Sequence, residues 1–326
     1  MELQQFTEKV TKALYQYYDS KVKIETHQVY KNNGILLQGI CALQEGKNIA
    51  PTVYLNDFFN RYREGESLGS LIKKIIDIIE KNQVSENIDV NFFTDYEKVK
   101  RKLVLRLIHR DRNKELLKTV PFQPFEDLAV VCHCQMLTRE LGTGSILIHK
   151  QHLRSWNISE EQLFADAVEN SPRIEPYCIM KMSDVVRNIM KETVRGRIEE
   201  ICEQYPQDKE KLLDRSVEHM VEELEGNQLP MYVLTNVRRY YGAACIVYPG
   251  VLQKMAAVLQ DDYYIIPSSV HEIIFLSKSK VADTAFLNEM IQEVNQSQVD
   301  EEEWLLDHTY LYQRETKMLI PIADQK

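Results

Sequence analysis

An Asn-Gly turn between two alternating apolar runs narrows most strongly what the first part of this chain can fold into. The run VKIETHQVY, residues 22–30, alternates apolar and polar positions, and ILLQGICAL, residues 35–43, follows the turn sequence KNNG. Asn-Gly readily adopts the left-handed backbone of a tight turn, so the pattern predicts an antiparallel β-hairpin.

Segments with helical periodicity lie on both sides of this hairpin. Apolar residues at three- and four-residue spacing predict helices over residues 3–19 and 67–81. The basic segment KVKRKLVLRLIHRDRNK, residues 98–114, has apolar positions at similar spacing, which predicts an amphipathic helix with a basic outer face. We therefore predict a first domain over residues 1–120, with helices around a β-hairpin.

The remainder of the chain, residues 121–326, repeats one order of elements. Patterns of strand, turn, strand, helix and strand follow one another over about residues 124–182 and again over about 229–276, joined by a helical segment. The second strand of the later block is predicted at AACIVYP, residues 243–249, and the joining segment is predicted to break at Pro206. Hairpins and helices without βαβ alternation are typical of the α+β class, and the two blocks indicate a structural duplication.

The overall charge argues against nucleic acid as a partner. The 326 residues carry a net charge of −9, which repels phosphate backbones and anionic lipid. A nucleic-acid role would need a local basic patch, and the segment 98–114 is the densest candidate for one. No apolar run approaches the length of about eighteen residues that a membrane span needs, and six cysteines are too sparse for a disulfide scaffold. These features predict a soluble cytoplasmic protein without a membrane partner.

Neither a metal nor a cofactor is predicted. Thiolates and imidazole are good zinc ligands, but on a strand Cys132 and Cys134 point to one face and His133 to the other. No second pair of closely spaced cysteines exists to complete such a site. The glycines Gly142 and Gly144 lack the third glycine of a phosphate-binding loop, since leucine stands at that position.

Candidate catalytic residues gather in YYIIPSSVHEIIFL and near the end of the chain. Ser269, His271 and Glu272 could belong to a hydrolase-like site, since serine catalysis requires a histidine and a third group that orients it. On a strand, however, Glu272 faces away from His271. The alternative is a serine-capped corner between two strands. A catalytic cluster would then require Asp307 and His308 to dock beside the strand that begins at His271.

A second candidate site is the aromatic and basic stretch VRRYYG. Arg238, Arg239, Tyr240 and Tyr241 are consecutive there, and tyrosine with arginine at the tip of a loop is typical of recognition surfaces. The alternative is that these are ordinary half-buried ends of strands, because tyrosine favours strands regardless of function.

Four segments together resemble a known family. They are IAPTVYLNDFFNRYREG, MYVLTNVRRYYGAACIVYPGVL, YYIIPSSVHEIIFL and EEEWLLDHTYLYQRE, in that order along nearly the whole chain. The chain is similar to an uncharacterised family of bacterial proteins, mainly from anaerobic Firmicutes, that carries a domain of unknown function. The resemblance implies a bacterial cytoplasmic protein. It supplies no activity, cofactor or catalytic residue.

Two functional hypotheses follow from these observations. The first is a non-enzymatic protein that binds another protein through its second half. The second is a hydrolase-like enzyme in which His271 acts with Glu272, or with Asp307 and His308. The first is favoured, because no cofactor loop, metal spacing or complete triad is recognisable in the sequence.

Overall fold

Helices and strands both occur along the computed structural model, which describes residues 1–18, 22–83, 91–138, 142–201, 230–281 and 284–322. The helices are α1 (Leu3–Tyr17), α2 (Asn56–Arg63), α3 (Leu68–Lys81), α4 (Tyr96–Val99), α5 (Lys114–Leu117), α6 (Lys150–Trp156), α7 (Glu160–Ile174), α8 (Met182–Ile201), α9 (Val251–Leu259) and α10 (Ala285–Gln298). The strands are β1 (Val22–Tyr30), β2 (Leu36–Gln44), β3 (Thr52–Tyr54), β4 (Leu103–His109), β5 (Phe122–Phe125), β6 (Leu128–Thr138), β7 (Gly142–Leu147), β8 (Tyr177–Lys181), β9 (Met231–Asn236), β10 (Tyr263–Ser269), β11 (Glu272–Ser277), β12 (Tyr310–Gln313) and β13 (Met318–Pro321).

The predicted α+β class is confirmed, because these helices accompany antiparallel sheets rather than a parallel βαβ array. The chain divides into two compact units. Unit 1 comprises Met1–Lys102, Arg112–Val120 and His133–Ser159; unit 2 comprises Leu103–Asp111, Pro121–Cys132 and Glu160–Lys326. The domain limits 1–120 and 121–326 stay a prediction.

Unit 1 contains the predicted hairpin. β1 and β2 pair antiparallel from Val22 opposite Gln44 to Tyr30 opposite Leu36, and β3 extends this sheet. Asn33 has φ of 61° and Gly34 has φ of 73°, so both adopt the left-handed backbone that the Asn-Gly turn predicts. The hairpin is thereby confirmed.

Two amphipathic helices form the core of unit 1 with this sheet. One face of α1 buries Phe6, Val10 and Leu14 at a four-residue spacing. The apolar stripe of α3 joins the same core cluster, and the hydroxyl of Ser67 caps this helix by accepting from the backbone N–H of Ser70. Both predicted helices are confirmed.

Unit 2 is organised around a six-stranded antiparallel sheet. Its strand order is β13-β12-β10-β11-β9-β8. Helix α10 buries Leu287 and Ile291 against Tyr264 and Ile266 of β10 and Leu276 of β11. Among the helices described, none is long and apolar enough to span a bilayer.

Residues 98–114 do not form the predicted basic helix. Short helical turns end at Lys102, and the strand β4 follows, buried from Leu103 to Ile108. A strand that is buried on both faces has a nearly continuous run of apolar residues. In this segment the apolar residues also fall at helical spacing, so the sequence pattern does not distinguish the two structures. Arg106 lies inside that run and is only 3% exposed, because it pairs with Glu175.

The two predicted blocks differ in their second element. AACIVYP was expected as a strand, but the 3-10 helix Gly242–Val247 occupies most of it, and that prediction is wrong. In the earlier block the corresponding element is the strand β7. The joining segment begins with α8 as predicted, whereas Pro206 lies outside the described residues.

Candidate functional site

A buried asparagine shapes the loop between β9 and the 3-10 helix. Asn236 ends β9, and its Oδ1 accepts hydrogen bonds from the backbone N–H groups of Arg238, at 3.0 Å, and Tyr240, at 3.3 Å. Its Nδ2 donates to the carbonyl oxygen of Tyr240 at 2.8 Å. One side chain therefore fixes the backbone of residues 236–242, which we call the tyrosine loop.

The backbone of the tyrosine loop is strained at two positions. Arg239 and Tyr241 both have φ of 54°, a left-handed conformation that residues other than glycine rarely adopt. Gly242 closes the loop, where a Cβ atom would lie 2.5 Å from the backbone nitrogen of Asn236 and 2.7 Å from the carbonyl oxygen of His271. Such strain persists only where the surrounding structure overrides local preference, and it is common at functional sites.

The tip of the loop is exposed. Val237 is 61% and Tyr240 is 53% exposed, and Arg238 and Arg239 between them are exposed as well. Tyr241 points inward, and burial, with a smaller contribution from Tyr240, raises the pKa of its hydroxyl to about 12. The loop therefore presents apolar surface and arginine side chains on a backbone anchored from within.

His271 supports the loop from the β10–β11 hairpin. Its ring stacks on that of Tyr240 with centroids 5.1 Å apart, and its Nδ1 accepts from the backbone N–H of Tyr241 at 3.1 Å. Its Nε2 lies 2.9 Å from Oε1 of Glu303. Because Nδ1 is an acceptor, the ring proton belongs on Nε2, where it is donated to the carboxylate.

A buried ion pair lies beneath Tyr241. Arg106 contacts the carboxylate of Glu175 through Nη1 at 2.5 Å and Nη2 at 2.8 Å, and both side chains are nearly inaccessible. The Cζ atom of Arg106 lies 5.1 Å from the centroid of the Tyr241 ring, within the range of a cation–π contact.

Glu272 adds a second carboxylate beside His271. It is half-buried at the start of β11, and burial raises its pKa, an effect that the nearby charge of Arg239 partly offsets. The side chain of Ser269 caps the backbone of the corner: its hydroxyl accepts a hydrogen bond from the N–H of His271 at 3.0 Å. This is the bond that the predicted serine-capped corner requires, and the corner is therefore confirmed.

A separate polar cluster surrounds His308. Its Nε2 lies 3.2 Å from Oδ2 of Asp127 and 3.2 Å from the hydroxyl of Tyr310, and its Nδ1 lies 3.2 Å from Oδ1 of Asp307. The Tyr310 hydroxyl donates to Asp127 at 2.6 Å. This hydrogen bond, followed by that of His308, lowers the pKa of Asp127.

Comparison with known proteins places the chain in a family. The model described as Family of unknown function (DUF5688) matches residues 3–314. The chain belongs to this family. The resemblance predicted from four sequence segments is thus confirmed, while a bacterial origin stays a prediction. No curated protein and no solved structure matches the chain.

The catalytic candidates of this DUF5688 member fall into two clusters. His271 contacts Glu303 and the tyrosine loop, whereas His308 contacts Asp127, Asp307 and Tyr310. Within the part of the chain that the structure describes, the contacts of each histidine run to its own set of residues. The convergence of His271 with Asp307 and His308 is therefore not seen.

Several residues of the site are missed by reading the DUF5688 sequence alone. Glu303, Glu175 and Arg106 come from distant segments, and nothing local marks them as partners of the loop. Asn236 does carry a signal, because asparagine just before a turn often hydrogen-bonds the backbone two residues on. That signal would have placed the start of the tyrosine loop.

The Cys132-His133-Cys134 motif lies on β6. Both cysteines are buried, and burial raises the pKa of Cys132 well above its usual range and that of Cys134 to about 11, which keeps the thiols protonated. His133 Nδ1 lies 3.0 Å from the hydroxyl of Ser145. Among the described residues of this DUF5688 chain, no three His, Cys, Asp or Glu side chains are grouped as metal ligands.

Proposed function

We propose that this DUF5688 protein binds another protein through the exposed tip of the tyrosine loop. Tyr240 and Val237 supply apolar contacts, and Arg239 supplies positive charge. The observation that carries the proposal is the combination of a 53% exposed tyrosine ring with a backbone that Asn236 and His271 hold in place. A fixed loop loses little conformational entropy when it binds.

The side chains at the tip of the loop indicate which kind of partner surface would bind it. Tyrosine and arginine are enriched among the residues that contribute most to protein interfaces. Arg238 and Arg239 directly precede Tyr240 in a chain whose net charge is −9. A partner surface with an apolar pocket for the ring and carboxylates around it would be complementary.

The hydrolase hypothesis draws less support from the site. A general base needs a ring nitrogen directed at substrate. In His271, Nδ1 accepts from the backbone of Tyr241, and Nε2 faces Glu303. Both nitrogens are thus engaged in holding the loop.

A cytoplasmic location is part of this proposal. The described cysteines, Cys41, Cys132, Cys134, Cys178 and Cys245, are free thiols. Free thiols are usual in a reducing compartment.

The experiment is affinity capture from a lysate of the source organism with three baits. They are the wild-type chain, Tyr240→Ala, and the matched control Tyr30→Ala, which removes a tyrosine that is 71% exposed on the unit 1 hairpin. We expect the wild type and Tyr30→Ala to retain the same protein and Tyr240→Ala to lose it. With that protein purified, Tyr240→Ala should raise Kd by at least about tenfold.

Equal capture by all three baits would contradict the proposal. So would capture that Tyr30→Ala and Tyr240→Ala reduce to the same extent, because the effect would then follow exposed tyrosine in general rather than the loop.

A further inference from the structure

We propose that Arg106 is a positioning residue: its buried guanidinium, oriented by Glu175, holds Tyr241 and thereby keeps the tyrosine loop in its binding conformation. This inference deepens the proposed function and depends on it for its purpose, but the conformational claim can be tested without a partner.

Several hydrogen bonds hold the guanidinium group of Arg106. Nη1 and Nη2 of Arg106 contact the carboxylate of Glu175, and Nη1 also donates to the carbonyl oxygen of Leu105 at 3.0 Å. These bonds fix the plane of the guanidinium, since the donors of arginine are arranged in a rigid fork. Tyr241 lies within cation–π distance of the fixed group.

A buried ion pair such as Arg106–Glu175 contributes little net stability to a fold. Taking two charges out of water has a large desolvation cost, and a well-packed apolar pair of similar volume is often at least as stable. The cost is not fully offset here, because Nε of Arg106 is buried without a hydrogen-bond partner among the described residues. Stability of the fold is therefore a weak explanation for a charged pair at this position.

Tyr241 connects the Arg106–Glu175 ion pair to the exposed tip of the tyrosine loop. Tyr241 has left-handed φ, so its conformation needs support from its surroundings. Its backbone is held by His271, and its ring faces the Arg106 guanidinium. The Tyr241 ring also contacts the Tyr240 ring edge-on, with centroids 4.6 Å apart. A continuous set of contacts thus runs from the buried cation to the proposed binding residue.

The test uses trypsin, which cleaves after arginine and can report on Arg238 and Arg239 in the exposed loop. Arg106→Met combined with Glu175→Leu replaces the ion pair by apolar side chains of comparable size. We expect this double variant to melt within a few degrees of the wild type and to be cleaved after Arg238 or Arg239 at least about tenfold faster, because the loop opens more often. Leu107→Met, a buried substitution on the same strand, is the matched control and should leave cleavage unchanged.

Two further variants keep the inference testable should the double variant fail to fold. Tyr241→Phe retains an aromatic face over Arg106, whereas Tyr241→Leu removes it and leaves the ion pair intact. Tyr241→Leu should accelerate cleavage of the loop and Tyr241→Phe should accelerate it much less. Equal cleavage of both at the wild-type rate, or an unchanged loop in a folded double variant, would overturn the role of Arg106.

The same variants separate this inference from the proposed function. A double variant with a rapidly cleaved loop that still captures the wild-type partner would support the role of Arg106 and contradict binding through the loop. A slowly cleaved loop in the double variant, with partner lost only on Tyr240→Ala, would overturn the role of Arg106 and leave the proposed function standing.

Discussion

At the scale of single residues, polar side chains near the sheet of unit 2 are matched to partners far away in the chain. The hydroxyl of Tyr310 donates to Asp127 and also accepts from the backbone N–H of Asp127 at 3.3 Å. Burial, with the hydrogen bond to Asp127, raises the pKa of Tyr310 well above its usual range, while the same bond lowers the pKa of Asp127. A hydrogen bond to an ionised carboxylate is stronger than a neutral one, so this contact depends on the charge of Asp127.

Tyr310→Phe should therefore destabilise the chain in a pH-dependent way. At pH 7 we expect a loss of about 1–2 kcal/mol in the free energy of unfolding. Because the pKa of Asp127 is lower in the folded chain than in the unfolded one, the stability it contributes is present above its unfolded pKa, near 4, and is lost as pH falls through the folded value. Urea denaturation at pH 7 and pH 3 should show the difference between Tyr310→Phe and the wild type becoming smaller in acid.

Tyr263→Phe is the control for this measurement. The Tyr263 hydroxyl donates to the carbonyl oxygen of Leu252 at 2.9 Å, an acceptor that does not titrate. Its loss should cost about the same at both pH values. A Tyr310→Phe effect that is equally independent of pH would mean that the charge of Asp127 is not involved.

At the scale of elements, the tyrosine loop depends on how closely the 3-10 helix approaches β9 and the β10–β11 hairpin. Gly242 begins the 3-10 helix, and the Thr235 hydroxyl beside it donates to the carbonyl oxygen of His271 at 2.8 Å. There is no room for a side chain between these backbone segments. A glycine is required here for close approach rather than for its own φ.

Gly242→Ala should consequently destabilise unit 2 through overpacking. Forcing a methyl group against the backbone of Asn236 and His271 should cost about 1–3 kcal/mol in the free energy of unfolding. Gly69→Ala is the control, and its expected effect on the free energy of unfolding has the opposite sign. Gly69 is exposed within α3 with nothing near its Cβ position, so alanine there should stabilise by about 0.5–1 kcal/mol. Chemical denaturation of both variants checks the pair; a neutral Gly242→Ala would show that the loop can move aside.

The elements that could be predicted from sequence are those whose pattern is local. The hairpin at Asn33 and Gly34 and the helices α1 and α3 follow from turn chemistry and periodicity. The strand β4 could not be predicted, because its apolar spacing also fits a helix and because the charge of Arg106 is paired with Glu175, 69 positions away. The 3-10 helix at Gly242 was missed for a similar reason, since β-favouring residues there are overridden by packing against other segments.

In the candidate site, too, some residues are marked by local sequence and others are not. The stretch VRRYYG stands out in the sequence by its tyrosines and arginines, as does His271 beside two serines. What the sequence does not reveal is that Glu303 holds His271 and that the ion pair of Arg106 with Glu175 lies beneath Tyr241. Long-range pairings of this kind depend on the sheet order, which separate local patterns do not specify.

At the scale of the whole molecule, the family match over residues 3–314 covers parts of both compact units. Each unit has its own apolar core, and the tyrosine loop with all the contacts that hold it belongs to unit 2. An acidic chain that presents an anchored loop of tyrosine and arginine is consistent with a binding protein. In the proposed function, the partner protein contacts this loop.

Hydrogen–deuterium exchange of the purified complex with the captured partner would locate this contact. We predict that peptides covering residues 236–242 gain protection when the partner is added, while peptides covering the unit 1 hairpin, residues 22–44, exchange as in the free chain. Protection confined to residues outside 236–242 would contradict binding through the tyrosine loop.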